Sequence, residues 1–170
     1  MIEIQPAQFE QKSILRNMLE LYAYDFSEYE DSDLNEAGEF GYNYLDQYWT
    51  ETGRHPFLVR VNGKFAGFVF VNKFVYSTNI DHSIADFFIL RKYRRKGIGR
   101  KVAIEILARF AGSWEIRALK NNSRAIRFWD SVISEFPQIQ NERIENGIGD
   151  WAGPIWILRP QNTSQQTSQT

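Results

Sequence analysis

One stretch, "SIADFFILRKYRRKGIGRKVAIEIL" from Ser83 to Leu107, limits the fold more than any other. Its first third is apolar and aromatic without polar alternation, the pattern of a strand buried on both faces. From Gly97 onward Ile98, Val102, Ala103, Ile106, Leu107 and Phe110 recur at the spacing of one helical face, with Gly112 as the stop. A strand therefore runs through Arg94-x-x-Gly97-x-Gly99 into a helix. That geometry suits an anion, because glycine lets backbone approach a ligand closely and a helix start offers unpaired N–H groups at its positive end.

Seven basic residues lie between Arg91 and Leu107, so the stretch could serve nucleic acid or a single phosphate group. It is neither a P-loop, which needs Gly-x-x-x-x-Gly-Lys-Ser/Thr, nor a Gly-x-Gly-x-x-Gly dinucleotide fingerprint. Taken alone, two glycines before a helix are compatible with a plain helix start carrying incidental charge. Against a nucleic-acid surface stands the net charge of -1, since non-specific binding depends on a broad basic face.

That net charge conceals segregation. Between Asn17 and Gly53 there is no Lys or Arg, while Glu20, Asp25, Glu28, Glu30, Asp31, Asp33, Glu36, Glu39, Asp46 and Glu51 accumulate. Opposite poles of this kind can steer ligands of opposite sign to different places.

Elsewhere, "MIEIQPA" reads as a first strand, and Ile14, Leu15, Met18, Leu19 and Tyr22 follow at helical spacing. An acidic loop leads to a short helix around Tyr44, Leu45, Tyr48 and Trp49. Two apolar runs flank Asn62-Gly63, the pair best suited to a type I′ hairpin. "WEIRAL" is a strand, "NNSRAIRFWDSVI" a helix with an Asn or Ser cap, and "IQNERIE" and "GPIWILRP" are two further strands. At 170 residues the chain is the size of one domain, expected over residues 1–160, with a polar, unstructured tail over 161–170. The sequence contains no cysteine and two histidines, which argues against thiolate chemistry and a metal centre. No signal sequence or span of roughly 20 apolar residues is evident, so a cytoplasmic protein without a membrane partner is expected.

Arg94, Gly97 and Gly99 match the pyrophosphate motif Gln/Arg-x-x-Gly-x-Gly/Ala, and Asn122, Ala125, Phe128 and Trp129 nearly match Asn-x-x-Ala-x-x-Phe-Tyr on the next helix. On these motifs and the order of elements to about Pro160, the chain resembles the GCN5-related N-acetyltransferase (GNAT) superfamily. The resemblance implies an α/β fold in which helices flank a mixed, twisted sheet, with a splayed central strand pair holding acetyl-CoA. It implies direct acetyl transfer to an amine on a small molecule or peptide. The amides of Arg95, Lys96, Gly97, Ile98, Gly99 and Arg100 would hold the pyrophosphate, and the backbone of Phe87, Phe88 and Ile89 the pantetheine arm. The Ile89 N–H would serve the oxyanion, and Asn122, Phe128 and Trp129 would touch the cofactor arm. Homodimers are plausible on the same grounds.

The match has a gap. Where many members carry a tyrosine that protonates the leaving thiolate, this chain has Trp129, whose indole N–H donates hydrogen bonds but is no practical acid. Either another group or water supplies the proton, or the chain is a coenzyme-A-binding module without catalysis. Asp86 is a candidate base or relay, but strict alternation turns it away from both Ala85 and Phe87. His82 reads as an exposed turn residue. Over the acceptor site the resemblance places the acidic segment with Glu28, Glu30, Asp31, Tyr42, Tyr44, Tyr48 and Trp49; Glu28, Tyr44 and Tyr48 are the leading contacts for a cationic amine.

Overall fold

A computed structural model describes residues 1–136 and 139–160. The polar tail lies outside them. Seven strands form one open sheet: β1 (Ile2–Pro6), β2 (His55–Val61), β3 (Lys64–Asn72), β4 (His82–Ile89), β5 (Trp114–Arg117), β6 (Ile139–Ile144) and β7 (Ile155–Pro160). Their spatial order is β1-β2-β3-β4-β5-β7-β6. Every neighbouring pair is antiparallel except β4 with β5. A parallel pair needs a crossover, and the helix that supplies it, α3 (Ile98–Arg109), is the one predicted after the glycines.

The β2–β3 turn has positive φ at both Asn62 (50°) and Gly63 (75°), the type I′ requirement. Two cores result from alternation along the central strands. On one face Leu58, Phe68, Phe70 and Phe88 pack under α1 (Lys12–Phe26) and the short α2 (Gln47–Thr50). On the other, Val59, Val69, Val71 and Ile89 pack under α3 and α4 (Ser123–Ile133). Burying that much aliphatic and aromatic area on both faces is what fixes the central strands.

Two local expectations change. α3 ends at Arg109 rather than running to Gly112, and Phe110 is extended. There its ring packs with His82 and Trp114, at 5.2 and 5.8 Å between centroids. His82 is accordingly the first residue of β4, with ring Nε2 2.9 Å from the Ala111 carbonyl oxygen, and not an exposed turn residue.

Candidate acetyl-CoA site

β4 and β5 pair only through His82–Trp114, Ser83–Glu115 and Ile84–Ile116. Beyond Ile84, β4 runs on to Ile89 with no strand among the described residues on that side. The gap opens into a cleft of about 640 Å³, well within the size range of small-molecule sites.

The β3–β4 register decides which groups face the gap. Phe68 lies opposite Phe88 and Phe70 opposite Asp86, and the Leu90 N–H donates to the Ala66 carbonyl in the same phase. In an antiparallel ladder the bonded pairs alternate, so Asp86 and Phe88 bond to β3 while the N–H groups of Phe87 and Ile89 point into the cleft. Phe88 therefore departs from the expected pantetheine-binding trio: its amide is spent on β3 and its buried ring belongs to the α1 side. Ile89 is further fixed by Arg94, whose Nε donates to the Ile89 carbonyl at 2.5 Å.

At the other end, Gly97 occupies the N-cap of α3 with φ of 72°, and no side chain caps the helix. The amides of Ile98, Gly99 and Arg100 thus begin a 12-residue helix without a protein acceptor from a cap. Gly97 is needed for its left-handed backbone. A Cβ on Gly99 would instead sit 3.4 Å from the Phe128 ring and 3.6 Å from Ile89, which is ordinary contact. Arg95, Gly97, Gly99 and Arg100 border the cleft. Ile98 is buried in the core and the Lys96 side chain is exposed, so any part they play is through backbone.

Three of the seven basic side chains are committed elsewhere. Arg91 and Arg94 both pair with Asp25 at the end of α1, and Arg100 pairs with Glu135. Burial opposes ionisation of Asp25, but the hydrogen bonds from Arg94 and Arg91 outweigh it and hold its carboxyl below the usual range. Arg124 and Arg127 on α4 also line the cleft. They went unremarked in the sequence, although Arg-x-x-Arg spacing on a helix puts both on one side.

Asn122 caps α4, accepting from the Ala125 N–H at 3.0 Å, and lines the cleft as well. Trp129 is 4% exposed. Its ring lies 5.2 Å from Phe87 and 4.9 Å from Phe128, forming an aromatic wall.

Asp86 is the main surprise. Between Phe70–Asp86 and Val71–Ile84 the register slips by one residue. This bulge at Ala85 puts Ala85 and Asp86 on the same face, contrary to strict alternation. Asp86 consequently joins the α1 side, where the Tyr42 hydroxyl donates to it at 2.7 Å and the Tyr22 phenol also approaches. Burial raises its pKa, and the two phenols only partly oppose that. Burial and the neighbouring carboxylate in turn push Tyr22 and Tyr42 upward, so both stay protonated donors. Tyr22 lines the cleft and links it to Asp86.

Of the acceptor residues expected from sequence, Glu28 borders the cleft and is exposed. Tyr44 is 57% exposed and meets Tyr42 edge-on, away from the cleft lining. Tyr48 is core: it stacks 4.2 Å from Phe70, its hydroxyl accepts from Asn72, and burial pushes its pKa up to about 12. Packing, not contact with an acceptor, accounts for it. Four acids of the segment also have structural partners. Glu20 accepts the Phe40 and Gly41 amides, while Asp25, Asp46 and Glu51 pair with bases.

The sequence profile of the Acetyltransferase (GNAT) family matches residues 15–132. The chain belongs to the GNAT acetyltransferase family. Members use acetyl-CoA, and the uncapped helix start and free strand edge fit its pyrophosphate and pantetheine arm. No curated protein sequence matches the chain. Solved structures share the fold at low identity. An acetyltransferase from Thermus thermophilus is 14% identical with a TM-score of 0.70, covering 94% of this chain and 97% of that one. PaiA N-acetyltransferase from Thermoplasma acidophilum, in complex with coenzyme A, is 12% identical with a TM-score of 0.63, over 94% and 99%. The aminoglycoside acetyltransferase AAC(6')-Ib, also with coenzyme A, is 15% identical with a TM-score of 0.66, over 95% of each.

Proposed function

We propose that this GNAT protein transfers the acetyl group of acetyl-CoA directly to an amine, with no covalent enzyme intermediate. The observation that carries the reading is the pair of free N–H groups, Phe87 and Ile89, on a strand edge continuous with an uncapped helix start. A pantetheine arm would pair with that edge as an added strand. The Ile89 N–H, held by the Arg94 contact to its carbonyl, would meet the oxyanion as it forms and contribute about 3 kcal/mol.

The attacking amine must shed a proton. Asp86 takes it, directly or through Tyr22, because burial has raised its basicity and Tyr22 stands between it and the cleft. That proton is the one the departing thiolate requires, so the net transfer runs from nitrogen to sulfur. Trp129 packs against the arm without a chemical role. The exposed acids Glu28, Glu30, Asp31, Asp33, Glu36 and Glu39 favour approach of an ammonium group on a small molecule or peptide.

Coenzyme A release in the presence of an amine panel tests this. Amine-dependent release with acetylated product supports it. Tight acetyl-CoA binding without release from any amine favours a binding module, the alternative that Trp129 raises.

A further inference from the structure

Alternation along β5 sends Trp114 and Ile116 into the α3–α4 core, so Glu115 and Arg117 face the α1 side. Glu115 is fully buried. A carboxylate there is tolerated only if its lone pairs are filled. They are: the Tyr76 N–H donates at 3.0 and 3.1 Å to the two oxygens, the Ser77 N–H at 2.8 Å and Arg117 Nη1 at 3.1 Å. The effect is to orient Arg117. Its guanidinium carbon lies 5.1 Å from the Tyr76 ring centre and 5.4 Å from that of Trp151, and the side chain borders the cleft just past the last paired residue, Ile116. Trp151 forms the adjoining wall, and its buried indole N–H has no acceptor among the described residues.

We infer that Arg117 and Trp151 form a carboxylate subsite in the acceptor pocket, so that the acceptor is an amine bearing a carboxylate a few bonds away. The inference rests on the acetyl-transfer reading and narrows its substrate. A fixed guanidinium with an unpaired N–H beside it matches the oxygens of one carboxylate. A phosphate fits less well, since Glu115 already balances the single cation. On the same face Asp86 and Tyr22 await the ammonium, and Tyr22 and Arg117 line the same cleft. The two subsites are therefore neighbours, which suits an amino-acid zwitterion better than a long polyamine.

The test uses matched pairs: lysine and cadaverine, arginine and agmatine, tyrosine and tyramine, histidine and histamine. Turnover and thermal shift of the coenzyme A complex are measured for each. For at least one pair the wild type should favour the amino acid in kcat/KM by on the order of a hundredfold, the loss expected when a buried hydrogen-bonding group is left unsatisfied. In the double variant Glu115→Gln, Arg117→Met, which removes both buried charges together, that ratio should fall to within about threefold. Arg117→Lys, which keeps the charge but loses the fork, should give an intermediate ratio. Amines that equal or exceed their amino acids in turnover and thermal shift would overturn the subsite while leaving acetyl transfer intact. Amino acids that alone stabilise the coenzyme A complex, with no turnover in either series, would keep the subsite and overturn transfer. Failure of both series in both assays overturns both.

Discussion

The two ends of the cleft are built from different material. At the α3 end the ligand meets backbone: uncapped amides at a helix start, set by one left-handed glycine. At the proposed acceptor end the cleft is lined by side chains: Tyr22, backed by Asp86, and Arg117 on Glu115. A backbone site resists most substitutions except those that deform the chain. A side-chain site can be abolished by one isosteric change, and each charge in it must be balanced against burial.

The largest effect expected follows from that contrast. Asp86→Asn should lower kcat by about a hundredfold or more, the typical contribution of a general base, with little change in acetyl-CoA affinity. Steady-state kinetics and calorimetry together would show the split. If affinity fell with kcat, Asp86 would belong to the cofactor end after all.

Next comes Gly97→Val. A β-branched residue at φ of 72° should cost roughly 1–2 kcal/mol in denaturant unfolding and weaken acetyl-CoA binding more than about tenfold. Gly99→Ala, whose Cβ finds ordinary contacts, should leave folding unchanged within about 0.5 kcal/mol. Equal losses of stability would mean that conformation does not distinguish the two glycines.

Two aspartates then sharpen the comparison through pH. Asp25 has a lowered pKa, so its stabilising contribution is present above the unfolded carboxylate value and disappears as pH falls through the folded one. Asp25→Asn should thus cost about 1 kcal/mol at pH 7, a modest figure because Arg91 is largely exposed. Asp86 has the opposite shift. Its contribution is present below the unfolded value and lost as pH rises through the raised folded one, so Asp86→Asn should be at least as stable as wild type at pH 7. The acid limb of the rate profile should lie above the ordinary aspartate pKa of about 3.9. Thermal melts and pH–rate curves check both signs.

The smallest change is expected from Lys96→Ala: less than about threefold in acetyl-CoA affinity, since its charge is exposed and screened. A tenfold loss would move the grip on the cofactor from amides to side chains.

How much of this was readable beforehand divides along the same line. Gly97 and Gly99 signal a helix start within a few residues, Asn122 signals a cap, and Asn62-Gly63 signals its hairpin, because each depends on local φ or local hydrogen bonding. The acceptor end depends on pairs far apart in sequence: Tyr42 with Asp86, Tyr76 with Glu115, Trp151 with Arg117. Nothing in the residues around 42 says that they will meet β4. Tyr48 was misread because an aromatic on a short amphipathic helix looks alike whether it faces a ligand or Phe70. The bulge was hidden too, since no glycine or proline marks Ala85.

That bulge gives β4 a phase. A strand is a two-step rotor, and one extra residue advances it by half a turn, so the segment before Ala85 and the segment after it are out of step. Forcing a regular ladder through Ala85 would swing every later side chain of β4 across the sheet, whereas removing Ala85 would straighten the strand and leave Phe70 opposite Asp86. Replacing Ala85 with another small residue would leave the timing intact.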